Sequence, residues 1–250
     1  MIDLGDKTVL ITGAARGIGS GIARACASAG AKVILHYSAS QTSAQALANE
    51  LGSACAGTVQ SDLTKPKAAA KLWADAEAHS PRIDALINNA AIFVNAPLDS
   101  ADDEWLNAWE RTLAVDLTSP ALLCKAAIAH FKANGGGKII NVASRAGHRG
   151  DDPEMAAYAA AKGGLLALTK TIARGLAQDG IVAYAIAPGW VDTDMAPQDE
   201  ANRAKALRDV PLGRMATPEE IGALTAFLVS DLCRSATGAT FDVNGASYVR

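Results

Sequence analysis

Thr8-Val9-Leu10-Ile11-Thr12-Gly13-Ala14-Ala15-Arg16-Gly17-Ile18-Gly19 is the stretch that decides the fold of this chain. Its first four residues form a short apolar run of the kind a buried parallel strand requires. Three glycines follow at Gly-x-x-x-Gly-x-Gly spacing, and Ile22-Ala23-Arg24-Ala25-Cys26-Ala27 continues at helical spacing until Gly30 stops it. Strand, glycine turn and helix together make a setting for a pyrophosphate. Glycines let the backbone come close, and the helix N-terminus offers unpaired N–H groups and the positive end of a dipole. The spacing matches neither Gly-x-Gly-x-x-Gly nor a phosphate loop ending in Gly-Lys-Ser/Thr, and a tight turn without a ligand is the plain alternative.

The same alternation repeats outward from this turn. Strands are expected at Lys32–Tyr37, Ala54–Ser61, Asp84–Ala90, Lys138–Ser144, Ile181–Ala187 and Ala239–Asn244. Helices are expected between them, at Thr42–Leu51, Pro66–His79, Asp102–Asn134, Ala156–Gln178 and Pro218–Ser230. Six or seven β–α units without a composition break predict α/β architecture: one doubly wound parallel sheet of about seven strands, Rossmann-type, with helices on both faces and residues 1–250 as a single domain. Residues 190–216 follow Pro188-Gly189, contain Pro197 and Pro211, and carry only a short helical stretch at Glu200–Leu207. A connection that long in a compact domain is usually functional, and it is expected to be a substrate lid.

The bulk composition narrows the classes. In 250 residues, 50% are apolar and 20% charged, enough for a substantial core. A net charge of −3 gives no electrostatic reason to expect nucleic acid or an anionic membrane. No apolar stretch approaches the ~20 residues of a transmembrane helix, and the N-terminus has no basic and apolar secretory pattern. Cys26, Cys55, Cys124 and Cys233 are widely separated in apolar contexts, which predicts buried thiols in a reducing compartment and no metal site. A cytoplasmic protein is the expectation.

Chemistry enters with Tyr158-Ala-Ala-Ala-Lys162 and with Ser144 fourteen residues upstream. Positions i and i+4 share a helix face, so phenol and ammonium can point into one pocket. A free tyrosine titrates near pH ~10. A cation beside it favours the phenolate and makes it a usable general acid/base.

In order along the chain, the glycine turn, Asp62, Asn88-Asn89-Ala90-Ala91, Ser144, Tyr158 with Lys162, and Pro188-Gly189 with Thr193 resemble the short-chain dehydrogenase/reductase family over essentially the whole length. The texture is most similar to 3-oxoacyl-[acyl carrier protein] reductases and to related sugar or polyol dehydrogenases. The resemblance implies hydride transfer between a nicotinamide dinucleotide and a carbonyl or secondary alcohol. Ser144 would hydrogen-bond the substrate oxygen, Tyr158 would exchange its proton, and Lys162 would hold the ribose and lower the tyrosine pKa. Gly13, Arg16, Gly17, Ile18 and Gly19 would cradle the pyrophosphate. Asp62, with Leu63, would meet the adenine, Asn89 would lie along the cofactor, and Pro188, Gly189, Val191 and Thr193 would meet the nicotinamide. The family usually has asparagine where this chain has Asp116, so the proton relay is expected to show an altered pH dependence. Ala91 replaces a common glycine.

Cofactor choice turns on the end of the second expected strand, where an acidic residue would bind the ribose 2′-hydroxyl and exclude a 2′-phosphate. Tyr37 and Ser38 stand there instead, and Arg16 can supply a cation, so NADP(H) is preferred and NAD(H) is the alternative. Arg145, His148, Trp190 and Met195 are substrate-side candidates, and Arg214 is a candidate for an acyl-carrier phosphopantetheine. Small residues on the helix from Ala156, together with the resemblance, imply a homotetramer. A 3-oxoacyl thioester or related ketone is the first substrate class expected and a sugar or polyol the second. A catalytically weakened nucleotide-binding sensor is the alternative of another kind.

Overall fold

The computed structural model describes residues 2–250. The chain order is β1 Thr8–Ile11, α1 Gly17–Ser28, β2 Lys32–Tyr37, α2 Gln41–Leu51, β3 Cys55–Gln60, α3 Ala68–His79, β4 Ala85–Asn88, α4 Asp102–Leu113, α5 Ser119–Ala133, β5 Gly137–Val142, α6 Ala146–Arg149, α7 Ala156–Leu176, β6 Ile181–Pro188, α8 Glu200–Arg208, α9 Pro218–Val229 and β7 Thr240–Val243. The seven strands form one sheet in the order β3-β2-β1-β4-β5-β6-β7, every pair parallel. The winding reverses between β1 and β4, so the connections leaving those two strands diverge and open a crevice at the C-terminal edge.

Alternation along each strand feeds two cores. Val9 and Ile11, with Val33, Leu35 and Ile87, face a layer that includes Ile22 and Cys26 of α1 and Ile221 and Leu228 of α9. Leu10, Ile34, Leu86 and Ile139 face the other way, onto Leu72 and Trp73 of α3 and Leu123, Ala127 and Phe131 of α5. Burial on both faces is why the strands read as continuous apolar runs rather than alternating ones. On the first face, α1 and α9 nearly touch through glycines: a Cβ on Gly222 would lie 2.5 Å from the Gly21 carbonyl oxygen.

The stretch expected as one helix from Asp102 to Asn134 is interrupted. A π turn at Ala114–Thr118 separates α4 from α5. Pro120 at the start of α5 lacks the N–H that would close on the Asp116 carbonyl in a regular helix, which accounts for the widening there. By length and composition the combined Asp102–Ala133 rod could cross a membrane, but its inward side chains, Leu123, Ala127 and Phe131 among them, are core. Cys26 and Cys124 are buried as expected, whereas Cys55 and Cys233 are only partly so.

A buried polar chain ties the sheet to α7. Asn88 Nδ2 donates to Asn141 Oδ1 at 2.8 Å, Asn141 Nδ2 donates to Thr169 Oγ1 at 2.8 Å, and Thr169 Oγ1 donates to the Leu165 carbonyl at 2.8 Å. Removing the central member strands a buried amide donor. Asn141→Leu is expected to lower unfolding stability by about 2 kcal/mol in urea titration, with dinucleotide affinity unchanged.

Candidate active site

The crevice is a cleft of about 660 Å³. Its lining includes Gly13, Arg16, Gly17, Ile18, Gly19, Tyr37, Ser38, Asp62, Leu63, Asn89, Ser144, Tyr158, Lys162, Pro188, Gly189, Trp190, Val191, Thr193 and Met195. Residues scattered over most of the chain converge because every parallel strand delivers its C-terminal end to the same edge.

The glycine turn is shaped by close approach. Gly13 has φ +63°, and a Cβ there would lie 2.9 Å from Ala90 Cα; one on Gly19 would collide with the Gly13 carbonyl oxygen. Arg16 precedes α1 in extended conformation, without a side-chain cap, so the first N–H groups of the helix have no capping acceptor. An uncapped helix end beside a cradle free of side chains fits a pyrophosphate. Two residues hold the cradle in place. Thr12 Oγ1 accepts from the backbone N–H groups of Asn89 and Ala90, both at 2.9 Å. The Asn89 amide donates to the carbonyls of Thr12 at 2.9 Å and Gly13 at 3.1 Å. The Asn89 side chain thus lines the cleft while fastening β4 to the turn.

His36, which the sequence did not flag, completes the clamp. Its Nδ1 accepts from the Gly13 N–H at 3.1 Å and its Nε2 lies 3.0 Å from the Ser61 carbonyl. That pairing requires the neutral Nε2–H tautomer, and burial lowers the His36 pKa in the same sense. The only advance signal was a polar residue inside the apolar run Val33-Ile34-Leu35-His36-Tyr37. At the adenine end, Asp62 accepts from Thr64 N at 3.0 Å and Thr64 Oγ1 at 2.7 Å, which holds its carboxyl below the usual range.

The reacting end lies between β5, α7 and the π turn. Tyr158 and Lys162 share a face of α7, and the Lys162 Nζ stands 5.4 Å from the centre of the tyrosine ring. Lys162 is 2% exposed; it donates to the Val142 carbonyl at 3.2 Å and faces Asp116 Oδ2 at 3.4 Å. Asp116 is wholly buried, and its Oδ1 accepts from Ile92 N at 2.9 Å. Burial pushes the Asp116 carboxyl up, against the pull of Lys162. Burial also raises the Tyr158 phenol; Lys162 and the neighbouring Ser144 hydroxyl lower it, while Asp116 raises it further. Phe93, half-exposed and unmarked in the sequence, packs edge-on against Tyr158 at 5.2 Å.

Three of the expected residues do not line the cleft. His148 stacks on Tyr248 at 5.7 Å, with Nε2 4.0 Å from Asp242 Oδ1, because α6 turns its side chain toward the C-terminal segment rather than into the cleft. Arg214 is taken by Glu220, at 2.8 Å to each carboxylate oxygen, and this bidentate pair holds Glu220 at about 2. Arg145 does not line the cleft either; it packs against Trp190, which does.

The doubly wound sheet, the glycine cradle and the serine–tyrosine–lysine cluster define a dinucleotide-dependent oxidoreductase. The model described as enoyl-(acyl carrier protein) reductase matches residues 13–246, and the chain belongs to the short-chain dehydrogenase/reductase family. It is 36% identical over 244 residues to the 3-oxoacyl-[acyl-carrier-protein] reductase of Escherichia coli, covering 97% of this chain and 98% of that one. Identity to the D-beta-hydroxybutyrate dehydrogenase of Cupriavidus necator is 34%, over 97% and 98% of the two chains. A solved structure of a putative NAD(P) dependent gluconate 5-dehydrogenase from Beutenbergia cavernae, with bound NADP at low occupancy, superposes with a TM-score of 0.90 at 31% identity, over 98% of both chains.

The pH dependence follows from the signs above. With Tyr158 as the base, alcohol oxidation would need its phenolate, and an anionic Asp116 disfavours that form. In Asp116→Asn that opposition is gone, so the rising limb of the kcat/KM profile for oxidation is expected at lower pH than in the wild type. Identical profiles would show that Asp116 does not act on the tyrosine.

Proposed function

We propose that this chain reversibly reduces a ketone to a secondary alcohol with NADPH. The observation that carries the reading is the buried Lys162 ammonium beside the Tyr158 ring, in one cleft with Ser144 and the glycine turn. A bound dihydronicotinamide supplies the hydride. Gly13, Gly17, Ile18 and Gly19 receive the pyrophosphate, and Asp62 and Leu63 the adenine. Tyr158 and Lys162 take the nearer ribose, flanked by Asn89, and Pro188, Gly189, Val191 and Thr193 flank the carboxamide. Ser144 donates to the substrate carbonyl oxygen, Tyr158 delivers its proton to that oxygen as it becomes an alkoxide, and Lys162 stabilises the phenolate left behind.

The preference for the 2′-phosphate rests on Tyr37 and Ser38 at the tip of β2, where no carboxylate stands, and on Arg16. The Arg16 side chain is 63% exposed and, among the described residues, pairs with Asp194 at 3.4 Å. An exposed surface pair of this kind is weak and yields readily to a phosphate. NADP bound to the Beutenbergia cavernae protein points the same way.

Residues 190–216 are the proposed lid. Their ends are pinned to each other, with Ala216 N donating to the Trp190 carbonyl at 3.0 Å and Asp192 N to the Ala216 carbonyl at 2.9 Å, while α8 between them buries no residue. Leu106 and Leu122, about half-exposed along α4 and α5, are consistent with a homotetramer, and four unpaired cysteines with the cytoplasm.

For the substrate, relatives named as 3-oxoacyl-[acyl-carrier-protein] reductases favour oxoacyl thioesters. The polar loop at Asp151, Asp152 and Glu154 and the engagement of Arg214 by Glu220 favour a small polar alcohol or its ketone. A nucleotide sensor without turnover would not require Ser144 and Tyr158 together.

With a reducible ketone, kcat/KM for NADPH is expected to exceed that for NADH, and Arg16→Ala to shrink the difference about tenfold; a tenfold preference for NADH in the wild type would overturn the assignment. Tyr158→Phe is expected to abolish turnover while fluorescence titration still shows NADPH binding.

A further inference from the structure

We propose that the Arg145 guanidinium is the subsite for a free carboxylate on the substrate, so that this chain acts on small oxo acids and the corresponding hydroxy acids. The inference rests on the hydride-transfer reading and selects one substrate class within it.

Arg145 is 8% exposed, and its Nη1 is buried with no hydrogen-bond partner. Among the described residues its side chain forms no ion pair, whereas Arg24, Arg82, Arg214, Arg234 and Arg250 each rest on a carboxylate. A guanidinium carries five N–H donors and stays charged, so burying one without an acceptor is costly. Burial lowers its pKa, and the charges acting on it, Arg149, Asp151 and Asp209, do so from beyond contact range. Asp209 is nearer to Arg149, at 3.9 Å, and Asp151 stands exposed in the loop. An uncompensated cation of this sort is what a site for an anionic ligand looks like before the ligand arrives.

Its position says which ligand. Arg145 directly follows Ser144, and its backbone N–H donates to the Pro188 carbonyl at 3.0 Å, bridging the ends of β5 and β6 that frame the reacting centre. The Cζ atom lies 5.9 Å from the centre of the Trp190 ring, and Trp190 lines the cleft. The charge therefore stands behind Trp190, one aromatic ring away from the cleft. Trp190 also opens the proposed lid segment, so displacement of its ring would join the guanidinium to the cleft. A planar fork suits a carboxylate, which it binds bidentately. A neutral sugar or the thioester end of an acyl chain offers it no such partner.

The test compares NADPH-linked reduction of short 3-oxo and 4-oxo acids with that of their methyl esters, in the wild type and in Arg145→Met, which keeps the volume. The wild type is expected to prefer the acids by on the order of 100-fold in kcat/KM. Arg145→Met should lose that preference, chiefly through a higher KM for the acids, while the esters are unaffected; NADPH titration and a melting curve confirm that the variant is folded. Equal wild-type rates for acid and ester would overturn the subsite while leaving ketone reduction standing, and that comparison needs no variant. Unchanged kinetics in Arg145→Met alongside an altered oligomeric state would also overturn it, since a second copy of the chain would then supply the missing anion. No NADPH turnover across the panel would remove the hydride-transfer reading itself, and this subsite with it.

Discussion

The site depends on where one ammonium group can rest. Lys162 is buried almost completely, and a buried cation is tolerated only when its surroundings supply negative charge or acceptor oxygens. The Val142 carbonyl, the Asp116 carboxyl and the Tyr158 ring provide them from three different elements. The same cation that needs these partners lends its field to the phenol and opposes the rise that burial imposes on it.

A carboxyl at position 116 draws on the lysine's charge that would otherwise act on the tyrosine alone. The π turn that carries Asp116 beneath the cleft arises where Pro120 removes a helical hydrogen bond. A backbone irregularity, a buried ion pair and the Tyr158 phenol are thereby coupled in space. On the opposite side of the cleft the nucleotide end is rigid for a different reason: Thr12, His36 and Asn89 spend their polar atoms fastening the glycine turn to β2, β3 and β4. The cleft thus has a fixed cradle at one end and, at the other, a wall of Trp190 and Met195 carried on a long excursion between β6 and α9.

Much of this was legible before any coordinates. Apolar runs placed all seven strands to within a few residues because a sheet buried on both faces demands them, and their shortness and regular alternation with helical stretches told them from buried helix. The spacing of Tyr158 and Lys162 was equally plain, since four residues is one turn of α7. His36 and Phe93 were not legible: neither belongs to a local pattern, and each matters only through partners distant in sequence or on another element. His148 shows the reverse error. Its nearness to Ser144 in sequence suggested the cleft, but the four-residue α6 rotates it onto Tyr248.

The amino-acid sequence by itself determined the architecture, the glycine turn and the shared helix face of Tyr158 and Lys162, because each rests on apolar runs, helical spacing or a motif local in the chain. Only the tertiary structure decided which charges are satisfied. Arg214 and Arg145 look alike as letters, yet one is folded onto Glu220 and the other is buried beside Trp190 without a partner. The physical reason is that desolvation and pairing are set by the environment of a side chain in three dimensions, and that environment is assembled from segments far apart along the chain.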